Sequence, residues 1–217
     1  MIGLLFTGTD TGVGKTHVTA AVARYLRQQG RPVAVCKPVA TGAEHVGGRW
    51  ISDDTRQLAA AVGETNLDRV TRWVFPEPVA PPVAARLHGV SLALNEMAGY
   101  IREQEQPGTA VLVEGVGGLL CPLTEQETVA GLAAELGLPL VVVARRSLGT
   151  LNHTLLTVEV VRRRGLPLAG VVVNAVTPAD SLAEQTNVEE LQRRGVPILA
   201  VLPHEPDAGR ANLEPLA

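Results

Sequence analysis

The sequence predicts an α/β fold: a mostly parallel sheet with helices on both faces, packed as a three-layer sandwich. Three observations carry this. Short, Val-rich apolar runs recur along the 217 residues. Longer stretches of helical pattern separate them. A Gly-x-Pro signal, at Gly30/Pro32, Gly137/Pro139, Gly165/Pro167 and Gly195/Pro197, ends four helical patterns and opens the next strand. Runs that are apolar throughout suit strands covered on both faces, and their alternation with helices calls for parallel pairing through crossovers.

In chain order, a strand is expected over 2–6, followed by a glycine-rich loop and a helix over 15–28. A second strand follows over 32–36. Residues 38–90 are irregular, with Gly42, Gly47, Gly48 and a Pro-rich stretch over 76–82. They read as an insertion over the carboxyl edge of the sheet, not as a linker, so 1–217 is taken as one domain. A helix over 53–62 lies inside this region. Beyond it come a helix over 92–103, a strand over 110–113, a helix over 128–135 and a strand over 140–144. A helix over 151–164, a strand over 168–173, a helix over 181–194 and a strand over 198–202 complete the alternation. In the last helix Leu182, Val188 and Leu191 are expected to share one side, with Glu and Arg opposite. The tail, 204–217, is polar and is expected to be ordered in part by a ligand.

Composition narrows the function. Hydrophobic residues make 46% and charged residues 19%, which excludes a disordered chain. Aromatics are only 3%, so the core is built from Ala, Val and Leu. A formal net charge of -3 gives no electrostatic case for nucleic acid or an anionic membrane. The two cysteines, Cys36 and Cys121, form no disulfide framework and read as small buried hydrophobes in a reducing, cytoplasmic setting. The start, Met1-Ile2-Gly3-Leu4-Leu5-Phe6-Thr7, lacks a basic leader, and no apolar run nears the roughly 20 residues that span a bilayer.

Gly8-Thr9-Asp10-Thr11-Gly12-Val13-Gly14-Lys15-Thr16 joins the first strand to the first helix, the context that a phosphate-binding loop requires. Its glycines let backbone amides surround an anion, and the helix amino end adds a favourable field. Lys15 is placed for the β- and γ-phosphates and Thr16 for Mg²⁺. Five residues separate Gly8 from Gly14-Lys15-Thr16, one more than in the standard loop, so this is a variant P-loop NTPase-like element. A GTP switch adds Asn-Lys-x-Asp after a strand. Here the place reads Asn174-Ala175-Val176-Thr177, so adenine is expected, with Asn174 facing the base or capping a turn.

Glu114 follows the strand over 110–113 and stands where a metal-holding acid belongs; the glycines after it allow close approach of a substrate. Asp53 and Asp54 open a helical pattern after Ser52, as helix-capping acids or as a further Mg²⁺ ligand. Lys37 ends the second strand, on the edge from which the phosphate loop also emerges. Lys15 and Lys37 together are expected to flank a transferring phosphoryl group. The five histidines show no metal spacing, and Arg162–Arg164 read as a solvated helix end.

Four segments carry a resemblance to the dethiobiotin synthase family: the loop over 8–16, Cys-Lys-Pro-Val-Ala-Thr-Gly over 36–42, Val-Glu-Gly-Val-Gly-Gly over 113–118 and Val-Val-Asn-Ala-Val over 172–176. Leu-Gly-Thr-Leu-Asn-His over 148–153 is similar too. The resemblance implies ATP-dependent closure of a cyclic urea on 7,8-diaminononanoate with CO₂, in biotin synthesis, by a homodimer with the diamine across the interface. It implies Thr11, Lys15, Lys37 and Thr41 around the carbamate and γ-phosphate, and the loop positions Gly12, Val13 and Gly14 around the nucleotide. Thr16, Asp53 and Glu114 would hold magnesium. Asn174 and the backbone near Pro203 would contact adenine. Gly117, Gly118 and Asn152 would line the diamine site, Asn152 from the partner, with Asn187 near the substrate's carboxylate tail.

Two departures stand out. Position 12 is Gly where some members carry Glu, and Asp54 stands beside the expected metal ligand Asp53, which leaves that choice open. A partitioning-type ATPase shares such loops, but its basic surface or partner-binding tail has no counterpart in this composition. A cobyrinate-type amidotransferase would add a glutamine-hydrolysing Cys nucleophile, and neither Cys here sits in such a motif. A non-catalytic nucleotide-binding subunit would have no need of Lys15, Lys37 and Glu114 together.

Overall fold

The computed structural model describes residues 1–176 and 181–204. Its centre is a six-stranded sheet in the order β10-β9-β8-β1-β7-β2, parallel at every pairing. The strands are β1 (Ile2–Gly8), β2 (Val33–Cys36), β7 (Ala110–Gly118), β8 (Leu140–Arg145), β9 (Leu168–Asn174) and β10 (Ile198–Leu202). From β1 the chain runs out to β2, returns through β7 between them, then continues outward on the other side of β1. Strand order thus reverses at β1, and ligands bind at the carboxyl ends beside such a switch.

Helices α1 (Lys15–Gln28) and α2 (Asp53–Val62) cover one face. Their Val18, Val22, Leu26 and Leu58 pack with Phe6, Val35, Leu112, Val141 and Val143 of the sheet. Helices α4 (Leu94–Arg102), α5 (Val129–Leu136), α6 (Thr150–Arg163) and α7 (Leu182–Arg193) cover the other. Odd and even residues of one strand face opposite cores: Val141 and Val143 belong to the α1 side, Val142 and Ala144 to the side of α6 and α7. That is why the strands read as unbroken apolar runs. Each such fully buried Val or Leu contributes roughly 1.5–3 kcal/mol.

The expected strands and helices are present, α1 and α2 with the predicted limits. In α7, Leu191 and Val188 pack inward, but Leu182, nine residues and about two and a half turns from Leu191, is on the opposite side and exposed, which corrects the expected shared side. β7 differs. It does not stop at Val113 but runs on to Gly118, with a register shift against β1 between Phe6 and Gly8, so Glu114 lies inside the strand. The insertion is also more ordered than its composition suggested. It holds a parallel pair of β3 (Val39–Thr41) and β6 (Trp73–Phe75), a hairpin of β4 (Glu44–Val46) and β5 (Arg49–Ile51), and α3 (Pro81–Leu87). Pro81 and Pro82 open α3 instead of breaking it, because the first helical positions need no amide hydrogen. Among the described residues no helix is long and apolar enough to cross a membrane. The reading of the tail beyond His204 falls outside the described residues.

Candidate active site

The loop after β1 turns into α1 through Gly12 and Gly14, at φ 70° and 87°. Gly14 has a second constraint: a Cβ there would meet Asn174 Nδ2 at 2.1 Å. The buried Asn174 amide donates to Val13 O at 3.0 Å and so props the loop from β9. On its outer side the loop is braced by Asp10. Asp10 accepts from Thr11 N at 2.7 Å and from Arg145 Nη2 at 2.8 Å.

A cleft of about 720 Å³ opens over this loop, a size that suits a small-molecule site. Thr11, Gly12, Gly14, Lys15 and Thr16 form its floor; Lys37, Thr41, Asp54, Glu114 and Gly117 form its walls. At the centre is a buried charge cluster. Lys37 Nζ donates to Glu114 Oε1 at 2.8 Å and to Asp54 Oδ2. Thr16 Oγ1 donates at 2.9 Å to Glu114 Oε1 and lies at 2.9 Å from Asp54 Oδ1. Glu114 is fully buried, and its Oε2 has no hydrogen-bond partner among the described residues.

Topology explains the cluster. Lys15 follows β1, Glu114 is in β7 and Lys37 follows β2; β7 lies between the other two, so Glu114 separates the lysines. Burial works against the Lys37 charge, but Glu114 and Asp54 overcome it and hold its pKa above the ordinary lysine value. Burial likewise raises the Asp54 carboxyl, and Lys37 with Thr16 outweighs it to leave the pKa low. Lys15 goes the other way: burial, with Lys37 adding to it, lowers its pKa despite Glu114. Lys37 and Asp54 thus favour each other's charged forms across the bond between them.

The aspartate choice is corrected. Asp53 is exposed and accepts from Gln57 Nε2 at 2.7 Å, on the outer side of α2. Asp54 faces the cleft because it shares a helix stripe with the buried Leu58 and Ala61, at i+4 and i+7. That spacing was available in the sequence. Asn187 is corrected too. It is buried and its Nδ2 donates to Arg146 O and Ser147 O at 2.9 and 3.3 Å, which fixes the turn after β8 and keeps the side chain out of the cleft. Gly118 lies over a neighbouring hollow with Asp10, Leu120 and Leu156. Asn152 is exposed on α6, and Pro203 is exposed just past β10, next to Asn174 through the pairing of Leu202 with Asn174.

Sequence reasoning missed Cys121, which is half-buried on the cleft wall near Gly117, and His17, Gln57 and Pro78 to Ala80, which also line the cleft. It also missed a plain count: Lys15 and Lys37 are the only lysines in the chain, and every other basic side chain among the 19 cations is Arg.

Among the described residues no group of three or more His, Cys, Asp or Glu could hold a metal. Two carboxylates and a hydroxyl still fit Mg²⁺, which is commonly held by one or two carboxylates with substrate phosphates. The orphaned, buried Glu114 Oε2 is the kind of atom a cation would satisfy.

Comparison with known proteins agrees with the fold and goes further. A family model described as an AAA domain matches residues 3–212. A solved cell division ATPase MinD from Pyrococcus furiosus shares the fold at TM-score 0.53 and 23% identity, covering 95% of this chain and 85% of that one. The signal recognition particle receptor FtsY from Elizabethkingia anophelis gives TM-score 0.59 at 12% identity, covering 98% and 60%. The ATP-dependent dethiobiotin synthetase BioD of Anaeromyxobacter dehalogenans strain 2CP-C is 47% identical over 212 residues, 97% of this chain and 93% of the relative. That of Aromatoleum aromaticum is 41% identical over 208 residues, 95% and 92%. At such identity over nearly the full length of both partners, the chain belongs to the ATP-dependent dethiobiotin synthetase family.

Proposed function

We propose that the cleft closes the cyclic urea of dethiobiotin from 7,8-diaminononanoate and CO₂ with hydrolysis of ATP to ADP and phosphate, within one domain over 1–217. The observation that carries the placement is the convergence of both lysines of the chain, Thr16, Asp54 and Glu114 over the phosphate loop.

The nucleotide's phosphates lie on the amides of Gly12, Val13 and Gly14 at the start of α1, with Lys15 at the β- and γ-phosphates. The base lies at the edge where Asn174 and Pro203 adjoin. Thr16, Asp54 and Glu114 would hold Mg²⁺, which when bound supplies charge neutralisation along the β- and γ-phosphates. CO₂ and one amine of the substrate give a carbamate, placed by Thr11, Lys37 and Thr41. A carbamate oxygen attacks the γ-phosphorus and ADP leaves. The second amine then attacks the carbonyl carbon of the mixed anhydride, the ring closes and phosphate leaves. Lys15 and Lys37 meet negative charge as it moves, and no side-chain nucleophile takes part.

The enzyme acts as a cytoplasmic homodimer in this reading. Leu120, Leu148 and Leu156 are exposed by 50, 85 and 58%, beside Gly118 and the amino end of α6. Such apolar exposure next to a site favours a subunit contact. It would bring the partner's α6, with its Asn152 position, toward the diamine lying along Gly117 and Gly118. The free thiols of Cys36 and Cys121 suit a reducing compartment.

The test is a coupled ADP-release assay with diaminononanoate, bicarbonate, ATP and Mg²⁺, each omitted in turn. ADP and phosphate are expected in equal amounts only with the complete mixture. Rapid turnover that ignores the diamine would overturn the reading.

A further inference from the structure

Lys37 has two claims on it. The reaction needs its ammonium at the γ-phosphate and the carbamate. In the fold it lies between Asp54 and Glu114, bonded to both. Glu114 Oε1 accepts from Lys37 Nζ at 2.8 Å and from Thr16 Oγ1 at 2.9 Å, so one oxygen serves both partners. The three side chains that suit Mg²⁺ are therefore already joined to one another, and the lysine stands as the cation among them.

We propose that Lys37 is the resident counter-ion of the metal pocket: without nucleotide its ammonium holds the place between Asp54 and Glu114 and keeps a divalent cation from binding alone, and it moves to the γ-phosphate when metal arrives with ATP. The proposal rests on the reading of Thr16, Asp54 and Glu114 as the metal's ligands. Three facts support it. Lys37 Nζ already lies in contact with a carboxylate oxygen of both Asp54 and Glu114, so an added dication would meet its ammonium at close range. Binding Mg²⁺ together with ATP adds net negative charge, which gives the displaced ammonium a new partner. Lysine is the side chain for such a transfer, a compact charge on a flexible four-carbon stem; an arginine's planar fork would be held in one geometry. Metal and nucleotide then bind in a coupled way.

The experiment uses Mn²⁺ as probe, its free concentration read by electron paramagnetic resonance, on the full chain with and without a non-hydrolysable ATP analogue. Nucleotide-free wild type is expected to bind Mn²⁺ weakly. Lys37→Met should bind it about tenfold tighter or more. Lys15→Met removes an equal charge without vacating the place between the carboxylates, and should tighten binding by about threefold at most. If Lys37→Met stays within about threefold of wild type, or Lys15→Met matches it, the proposal is overturned. Glu114→Gln separates the two levels. If it leaves Mn²⁺ affinity in the analogue complex unchanged, the metal-ligand reading falls and the proposal with it. If it weakens that affinity while Lys37→Met changes nothing, only the proposal falls.

The buried Glu114 carboxylate without its lysine can prevent folding, so one measurement needs no variant. With ¹⁵N-lysine labelling the wild-type chain has two side-chain ammonium groups, Lys15 and Lys37. The Lys37 signal is expected to be visible without nucleotide, because its protons are bonded and buried, and to shift when Mg²⁺ and the analogue are added together but not with Mg²⁺ alone. A shift of equal size with Mg²⁺ alone overturns the proposal.

Discussion

Lys15 stands on the first turn of α1, directly after a central strand, and Asp54 stands on the first turn of α2, inside the insertion over 38–90. Both reach the same cleft, but they are held differently. The phosphate loop rises from the middle of the sheet: β1 pairs with β7 and β8 on its two sides, Thr9 N donates to Val143 O at 2.9 Å, and the Asn174 and Arg145 side chains brace the loop. The insertion stands outside the six-stranded sheet, on its own short pairs β3–β6 and β4–β5 and on backbone ties such as Lys37 N to Val70 O at 2.8 Å. The sheet half shapes a cradle that any nucleotide-binding relative of this fold can use. The insertion half brings Thr41, Asp54 and the segment from Pro78 to Ala80 to it. Lys37 stands at the seam between the two and lines the same cleft.

The largest expected effect breaks the seam. Lys37→Met should lower kcat by on the order of 10²-fold, about 2.7 kcal/mol, with a much smaller change in affinity for an ATP analogue. Lys15→Met, on the sheet side, should weaken analogue binding and turnover together. Steady-state rates beside isothermal titration separate the two. A Lys37→Met enzyme within about threefold of wild type would show that the insertion edge is not part of the reacting centre.

The next effect tests the insertion alone. Asp54→Asn should cut Mg²⁺-dependent turnover by about tenfold or more, whereas Asp53→Asn should stay within about twofold, since the Asp53 side chain is exposed and accepts from Gln57 outside the cleft. The reverse ranking, in a magnesium titration of rate, would mean that α2 presents its other side.

On the sheet side, Gly14→Ala sharpens the contrast by attacking backbone instead of charge. A side chain at φ 87° costs roughly 1–2 kcal/mol, and the new methyl displaces the Asn174 amide. A fall of several degrees in Tm is expected, at roughly 2–4 °C per kcal/mol for a chain of this size. An unchanged Tm would show that the loop is not held by Asn174.

The smallest effect is in the insertion, at the rim. His88 Nε2 lies 2.8 Å from Glu77 Oε2, one residue before Pro78 of the cleft wall. The hydrogen bond to His88 holds the Glu77 carboxyl below its usual range. A lowered carboxylate pKa contributes stability that is present above the unfolded value and lost as pH falls through the folded one. His88→Ala should bring the Glu77 pKa up to the ordinary carboxylate range in an NMR titration, with little change in rate. A Glu77 pKa that does not move would assign the shift to the local backbone.

The same contrast governs how much was legible beforehand. In the sheet half, the central strands are buried on both faces and four helices are closed by Gly and Pro, so pattern and element agree. In the insertion, β3, β6 and the β4–β5 hairpin are three residues each, too short for a period to show. Asp53 against Asp54 was decidable from the Leu58 and Ala61 stripe, and the restriction of lysine to positions 15 and 37 marked both as special before any fold was known. Asn187 was not decidable: its partners, Arg146 O and Ser147 O, are backbone atoms of a distant turn.

By itself the sequence determined the alternation of strands and helices, the phosphate loop between β1 and α1, and the residue types needed for phosphoryl transfer, because these are written in local period, glycine placement and side-chain chemistry. Only the tertiary structure decided that β7 lies between β1 and β2. No local pattern encodes which strands are neighbours; that follows from how the two helical layers bury both faces of the sheet. The consequence is the centre of the site, where Glu114 stands between Lys15 and Lys37, and Asp54, turned inward by the burial of Leu58, meets them across the cleft.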